Sequence, residues 1–277
     1  MLLNQGSLSL WKRVRVRGDE FMNERSGISS AAVRGESGAA GRNPPGESRN
    51  GEASEGAAAL CPQVKICGLT REDEASACAE AGASAVGCVF YPPSPRYVSE
   101  EIARSICRAV SPKVPCVGVF VNEGCSAIMR KVERCGLKAV QLHGKEPPSL
   151  VQELHRAGIA VIKAVFENAD PSFASVDGYD AEAYLVECAG GPLPGGNSMG
   201  WNWSAAAELA ARRPVILAGG LSPENVGRAI RAASPDAVDV SSGVESRPGR
   251  KDIDRVRRFL EAVCQSRGSG KFRRIFK

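Results

Sequence analysis

From Val64 onward, short runs of apolar and β-branched residues alternate with longer stretches whose apolar positions recur every three or four residues. The first pattern predicts buried strands, the second amphipathic helices. Strands are expected at 64–67 (VKIC), 85–90 (AVGCVF), 116–120 (CVGVF), 139–142 (AVQL), 160–165 (AVIKAV), 183–187 (AYLVE), 215–218 (VILA) and 237–240 (AVDV). Helical patterns lie between most of them. Thr70 is expected to cap the first helix, with Asp73 as an approximate capping box and Gly82 closing it. Ser99 is expected to start the second, Gly136 and Gly158 to end later ones, and Ser222 with Pro223 to start another. The turn-rich ENADPSFASVDGYDAE after the fifth strand carries the weakest helical pattern.

Strands alternating with helices in this number predict an α/β chain, a single (β/α)₈ TIM barrel spanning residues 61–266. The alternative, an open doubly wound sheet, carries its glycine-rich fingerprint after the first strand. Here the glycine pairs come later, after strands six and seven. Residues 1–60 are rich in Gly, Ser, Glu, Arg and Ala with little to bury, and are expected to form a disordered extension. Residues 267–277 hold five Lys or Arg and no acid, and are expected to be a flexible basic tail.

The whole chain carries a formal charge of +5. With the tail set aside the barrel segment is close to neutral, so no nucleic-acid partner is expected. No apolar run is long enough to cross a bilayer, and the opening residues lack the apolar centre of a secretory signal. A cytoplasmic protein with no membrane partner is expected. The ten cysteines form no CxxC pair, and most, such as Cys78, Cys88, Cys107 and Cys116, fall inside apolar patterns. They read as buried thiols in a reducing compartment. Two isolated histidines, His143 and His155, do not suggest a metal cluster.

Barrel chemistry belongs to the C-terminal strand ends, with phosphate in the loops after strands seven and eight. Those loops read AGGLSPENV and DVSSGVE. Gly219 and Gly220 let a backbone approach a ligand, and Ser241, Ser242 and Gly243 offer hydroxyl and amide donors. Either loop alone is generic turn chemistry; together they point to a phosphorylated small molecule. Side chains alternate along a strand, so Lys65 and Cys67 share the face opposite Val64 and Ile66. The apolar pair suits the helix side, which puts Lys65 and Cys67 inside the barrel. An adjacent ammonium favours thiolate and makes Cys67 a candidate base or nucleophile, against the alternative of one more buried cysteine. Arg96, between the prolines of YPPSPRYVS, suits a carboxylate ligand or is a surface turn residue. Glu187 shares the inner parity of Ala183 and Leu185 and is a candidate proton donor or a solvated strand-end charge; Cys188 has the opposite parity. His143, just past strand four, contacts ligand or is structural.

In order, VKICG, SPR, VGVFVN, VQLHG, LAGGLSPENV and VDVSSGVESRPGRKD closely resemble the phosphoribosylanthranilate isomerase family of tryptophan biosynthesis. The resemblance runs from about residue 64 to 259. It implies a TIM barrel without metal or organic cofactor, acting as a monomer or homodimer. It implies an Amadori rearrangement of N-(5′-phosphoribosyl)anthranilate to 1-(2-carboxyphenylamino)-1-deoxyribulose 5-phosphate. It places the general base on Cys67, the anthranilate-binding arginine on Arg96, phosphate contacts on Gly219, Gly220, Ser241, Ser242 and Gly243, and the strand-eight acid on Asp239. Lys65 and His143 join the substrate-binding set. Two departures stand out. The family's strand-six aspartate, its general acid, is Glu187 here, one methylene longer. The following loop reads GGNSMGWNW, with Asn197 and Ser198 in place of the family's Thr/Ser and Gly. Two other readings stand beside this one. One is a degenerate barrel that binds a phosphorylated ligand without turnover. The other is a related sugar-phosphate isomerase of histidine biosynthesis, which the lone Cys67 and the absence of internal duplication disfavour.

Overall fold

The protein is described from a computed structural model, which covers residues 61–277 apart from 113, 190–199 and 267–271. Eight parallel strands close into a barrel in sequence order: β1 (Gln63–Cys67), β2 (Ala85–Val89), β3 (Cys116–Phe120), β4 (Ala139–Leu142), β5 (Ala160–Phe166), β6 (Ala183–Glu187), β7 (Val215–Leu217) and β8 (Ala237–Val240). Closure is made by β1 against β8, with Lys65 opposite Asp239. The expected TIM barrel is therefore the observed fold, and each predicted strand lies within a residue of its observed bounds.

Helices wrap the outside: α1 (Glu72–Glu80), α2 (Glu100–Val110), α3 (Cys125–Cys135), α4 (Pro148–Arg156), α5 (Ala207–Arg212), α6 (Val226–Ala233) and α7 (Ile253–Gln265). The connection after β5 is only a 3₁₀ turn, Phe173–Gly178. This is where the sequence pattern was poorest in apolar periodicity. Ser99 caps α2 through the amide of Ile102, and Gly136 ends α3 with φ at 77°. Two expected starts shift. Thr70 does not cap α1; its hydroxyl donates to the carbonyl of Gly249, and Arg71 is the capping residue. Ser222 and Pro223 form a turn ahead of α6, which begins at Val226 after Asn225.

The strands alternate as their parity requires. Val64, Ile66, Tyr184, Val186 and Val238 pack outward into the helix layer with Leu154, Ile230 and Phe259. Ala85, Val117, Ile162, Ala183, Leu185, Ile216 and Ala237 fill the barrel interior. Cys78, Cys88, Cys107 and Cys116 are buried free thiols, as their apolar settings predicted.

The lower, N-terminal end of the barrel corrects one expectation. The tail was expected to be solvated, yet residues 272–277 lie across the barrel floor, and Phe276 enters the inner cluster at 5% exposure. Gln63 holds this segment. Its Oε1 accepts from the amides of Ile275 and Phe276, and its Nε2 donates to the carbonyl of Phe276. Asp236 accepts from the backbone amide and Nε of Arg273. The physical reason lies in the lowest interior positions. Ala85, Ala183 and Ala237 are too small to fill a barrel of this girth, and an aromatic ring from the tail occupies the space.

Candidate active site

The upper rim is built from the last residues of the strands and the loops that follow. Lys65, inside the barrel and fully buried, donates to Asp239 Oδ1 at 2.9 Å. Burial alone draws the Lys65 ammonium down. Asp239 and Cys67 outweigh it, so the amine is held above its ordinary range. Cys67 stands one pleat higher, 7% exposed. Gly87 on β2 makes room for it, since a β-carbon there would lie 2.8 Å from Cys67 Sγ and 3.2 Å from Lys65 Cε. The predicted thiolate activation meets an opposing force. Burial is the largest influence and pushes the Cys67 thiol up. Lys65 and Lys251 pull it down, Asp239 adds to the upward push, and the net direction is upward.

Across the mouth, β6 delivers Glu187 to the inner face as its parity predicted. Its carboxylate is 2.9 Å from His143 Nε2, and Gln141 Nε2 lies 2.9 Å from His143 Nδ1. An amide NH₂ only donates. With the Gln141 amide in this orientation, His143 accepts at Nδ1 and donates from Nε2 to Glu187. Gln141 Oε1 is buried without a hydrogen-bond partner. The loop carrying His143 is pinned from outside the barrel. Buried Lys163 donates to the carbonyls of Leu142 and Gly144 and to Glu146, whose other oxygen accepts from Asn122 and Gly144.

The two glycine loops meet. Gly219 and Gly220 have φ values of 84° and 67°, open to glycine at little cost. A β-carbon on Gly219 would lie 2.8 Å from Trp201 Nε1 and 3.2 Å from Glu187 Cβ. Asn225 braces this loop, accepting from the Ser222 amide and donating to the Gly220 carbonyl. Gly243 packs on the backbone of Leu221 and Ser222, so close that no side chain fits between the loops. Ser241 Oγ donates to the Cys67 carbonyl at 3.1 Å and ties the β8 loop to the β1 end. Trp201 and Trp203 donate to the carbonyls of Ala218 and Gly219, anchoring the far end of the β6 loop. Asn197 and Ser198, the predicted departures in that loop, lie outside the described residues.

Arg96 reaches this rim by a narrow path. Its stem crosses Gly68, where a β-carbon would lie 2.5 Å from Arg96 Cδ. Its Nε and Nη2 each donate at 2.8 Å to the two oxygens of Glu245. Glu245 also accepts from Lys251 Nζ at 2.7 Å, and Lys251 donates on to the carbonyl of Ser241. Glu245 and Lys251 sit on a small hairpin, β9 (Glu245–Arg247) with β10 (Arg250–Lys251), which follows β8. Neither was singled out in the sequence, although both lie in its last motif. Gln141, Lys163 and Glu146 were likewise missed. Gln141 had a legible signal, since it shares the inner parity of His143.

All the predicted site residues thus gather at one rim: Cys67, Lys65 and Asp239 on the β1–β8 side, Glu187 and His143 on the β4–β6 side, and Arg96 and the glycine loops around them. Among the described residues no group of His, Cys, Asp or Glu is arranged to hold a metal ion, and none of the helices is long and apolar enough to cross a membrane.

A closed parallel barrel that gathers a thiol, a carboxylate and paired glycine loops at its C-terminal mouth has the architecture of a TIM-barrel enzyme. Comparison narrows the class. The family model for N-(5′-phosphoribosyl)anthranilate isomerase matches residues 64–262. The N-(5′-phosphoribosyl)anthranilate isomerase of Desulfatibacillum aliphaticivorans is 53% identical over 214 residues, covering 77% of this chain and 98% of its own. The phosphoribosyl anthranilate isomerase structure from Thermotoga maritima superposes with a TM-score of 0.67 at 41% identity, covering 73% of this chain and 98% of that one. A phosphoribosyl anthranilate isomerase in complex with reduced 1-(o-carboxyphenylamino)-1-deoxyribulose 5-phosphate gives 0.65 at 40% identity, with the same shares covered. The chain belongs to the phosphoribosylanthranilate isomerase family, enzymes of tryptophan biosynthesis.

Proposed function

We propose that this protein converts N-(5′-phosphoribosyl)anthranilate to 1-(2-carboxyphenylamino)-1-deoxyribulose 5-phosphate, with Glu187 as general acid and Cys67 as general base. The observation that carries the reading is the placement of these two groups on opposite arcs of one mouth. β1 and β6 are separated by β7 and β8 on one side and by four strands on the other. A sugar lying across the mouth meets an acid on one side and a base on the other.

The chemistry needs no more than that. Glu187 protonates the furanose ring oxygen, and the C1′–O bond breaks as the nitrogen lone pair forms a Schiff base. Cys67 thiolate then removes the C2′ proton, and those electrons flow toward the iminium nitrogen to give an enolamine. Tautomerisation yields the C2′ ketone. Lys65 supports the thiolate, and Asp239 fixes Lys65. The phosphate is read as resting on the amides of Gly220 and Gly243 and the hydroxyl group of Ser242, where the two loops meet, with Ser241 joining when its hydroxyl turns from the Cys67 carbonyl. Arg96 is read as binding the anthranilate carboxylate. The longer Glu187 is accommodated by its hydrogen bond to His143, which holds the extra methylene in one place.

The test is direct. Purified protein is given freshly prepared phosphoribosylanthranilate, and loss of anthranilate-type fluorescence is followed. Turnover that disappears in Cys67→Ser and in Glu187→Gln is the expected result. Tight binding of the reduced product analogue with no turnover would replace this reading with that of a ligand-binding barrel.

A further inference from the structure

Arg96 has five N–H donors, and the structure shows where only part of them go. Nε and one Nη2 hydrogen are spent on Glu245. The Nη1 group donates to no other described residue, although the arginine side chain is only 9% exposed. The guanidinium is therefore gripped along one edge and presented along the other. Its freedom to turn is removed twice, by the bidentate grip and by the stem lodged against Gly68.

The charge count points the same way. Arg96 and Lys251 bring two positive charges against the single negative charge of Glu245. Burial raises the Glu245 carboxyl, but the hydrogen bonds and charges of Arg96 and Lys251 outweigh it and hold it below the ordinary range. Glu245 is thus ionised at neutral pH and is shared between two cations, while burial draws the Lys251 ammonium down against the pull of Glu245 and Cys67. A carboxylate shared between two cations leaves Arg96 able to take a second anion on its free edge. A planar carboxylate fits the open Nη edge in the same two-bond manner that Glu245 uses on the other.

We propose that Glu245 is a specificity-determining positioning residue, which selects carboxylate-bearing substrates by fixing Arg96 with its outer edge facing the pocket. This rests on the isomerase reading above. A purely structural Glu245 would instead support the hairpin, and its loss would harm every substrate alike.

The experiment compares kcat/KM for phosphoribosylanthranilate with that for its carboxylate-free counterpart, phosphoribosylaniline, in wild type, Glu245→Gln and Glu245→Asp. Arg96→Ala sets the scale for complete loss of selection. A charge-assisted pair contributes on the order of 10- to 100-fold. The selectivity ratio is expected to fall by about that factor in Glu245→Gln, carried mostly by KM for the carboxylated compound. Glu245→Asp keeps the charge that Lys251 needs but withdraws from Arg96, and is expected to lose selectivity while folding normally. It decides the matter if the glutamine variant fails to fold. If phosphoribosylaniline turns over too slowly to measure, the ratio of dissociation constants for the two reduced product analogues is read instead. Equal losses on both compounds, or an unchanged ratio in both variants, would overturn the assignment of Glu245 alone. A wild type that turns over neither compound and binds neither analogue would overturn the isomerase reading with it.

Discussion

At the lower end of β1, Gln63 grips the chain's last residues; four positions higher, Cys67 stands at the open rim. At the lower end of β8, Ala237 packs on the inner cluster; two positions higher, Asp239 binds a buried lysine. The same strands serve both ends of the barrel, yet at the floor an aromatic ring packs on apolar interior residues while the mouth holds buried ion pairs. Buried ion pairs such as Lys65–Asp239 contribute little net stability, because desolvation offsets their attraction. Buried aromatic area such as that of Phe276 contributes directly. The mouth is accordingly expected to govern rate and the floor to govern stability.

Replacing the two reacting groups is the strongest way to sharpen that division. Cys67→Ser and Glu187→Gln are each expected to lower kcat/KM by about 10²- to 10⁴-fold, the usual contribution of an acid or base. Thermal midpoints should move little, because both changes keep the shape of the side chain. Loss of activity that merely tracks loss of folded protein would break the comparison. At the floor, Phe276→Ala is expected to cost about 3 kcal/mol. For a barrel of this size that is a fall of roughly 6–12 °C in Tm. Its kcat/KM should stay within about twofold of wild type, as steady-state kinetics on the folded enzyme would show. A smaller effect is expected beside Glu187. His143→Asn removes the partner that orients the carboxylate and should lower kcat about tenfold with KM nearly unchanged. A rise in KM at constant kcat would instead make His143 a substrate contact.

How much of this was legible in the chain follows from what each feature depends on. Strand bounds and inward parity depend on local alternation, and so Lys65, Cys67 and Glu187 were placed on the inner face from sequence. The grip on Arg96 depends on a glutamate 149 residues away, which no local pattern announces. The tail was misread for a related reason. Its Lys and Arg content suggested solvent, but Phe276 packs into a barrel floor lined with alanine, a space that exists only after closure. Thr70 carried the right side chain for a cap, yet the Gly249 carbonyl, brought to it by the hairpin after β8, took its hydroxyl instead.

The smallest effect, and the one that tests the electrostatics of the mouth, is a displacement along the pH axis. Cys67 acts as a base only when deprotonated. Burial holds its thiol above the ordinary value of 9.0, so the thiolate fraction of the free enzyme is small near neutrality and grows with pH. On this ground the rate of Cys67 alkylation should climb by close to tenfold per pH unit and should not have levelled by about pH 8. The sign of a second change follows from the same charges. Lys251 is one of the cations that favour the thiolate. Lys251→Met removes it, so the alkaline limb is expected to move to higher pH and activity at neutral pH to fall accordingly. The shift should be smaller than the one that loss of Lys65 would cause, since Lys65 is the larger cationic influence. The profile is measured as the rate of Cys67 alkylation against pH for both proteins, followed by peptide mass spectrometry, with kcat/KM at neutral pH as the check on activity. A limb that moves down in Lys251→Met, or one already level at neutral pH in the wild type, would show that the charges of the mouth do not tune the thiol in this way.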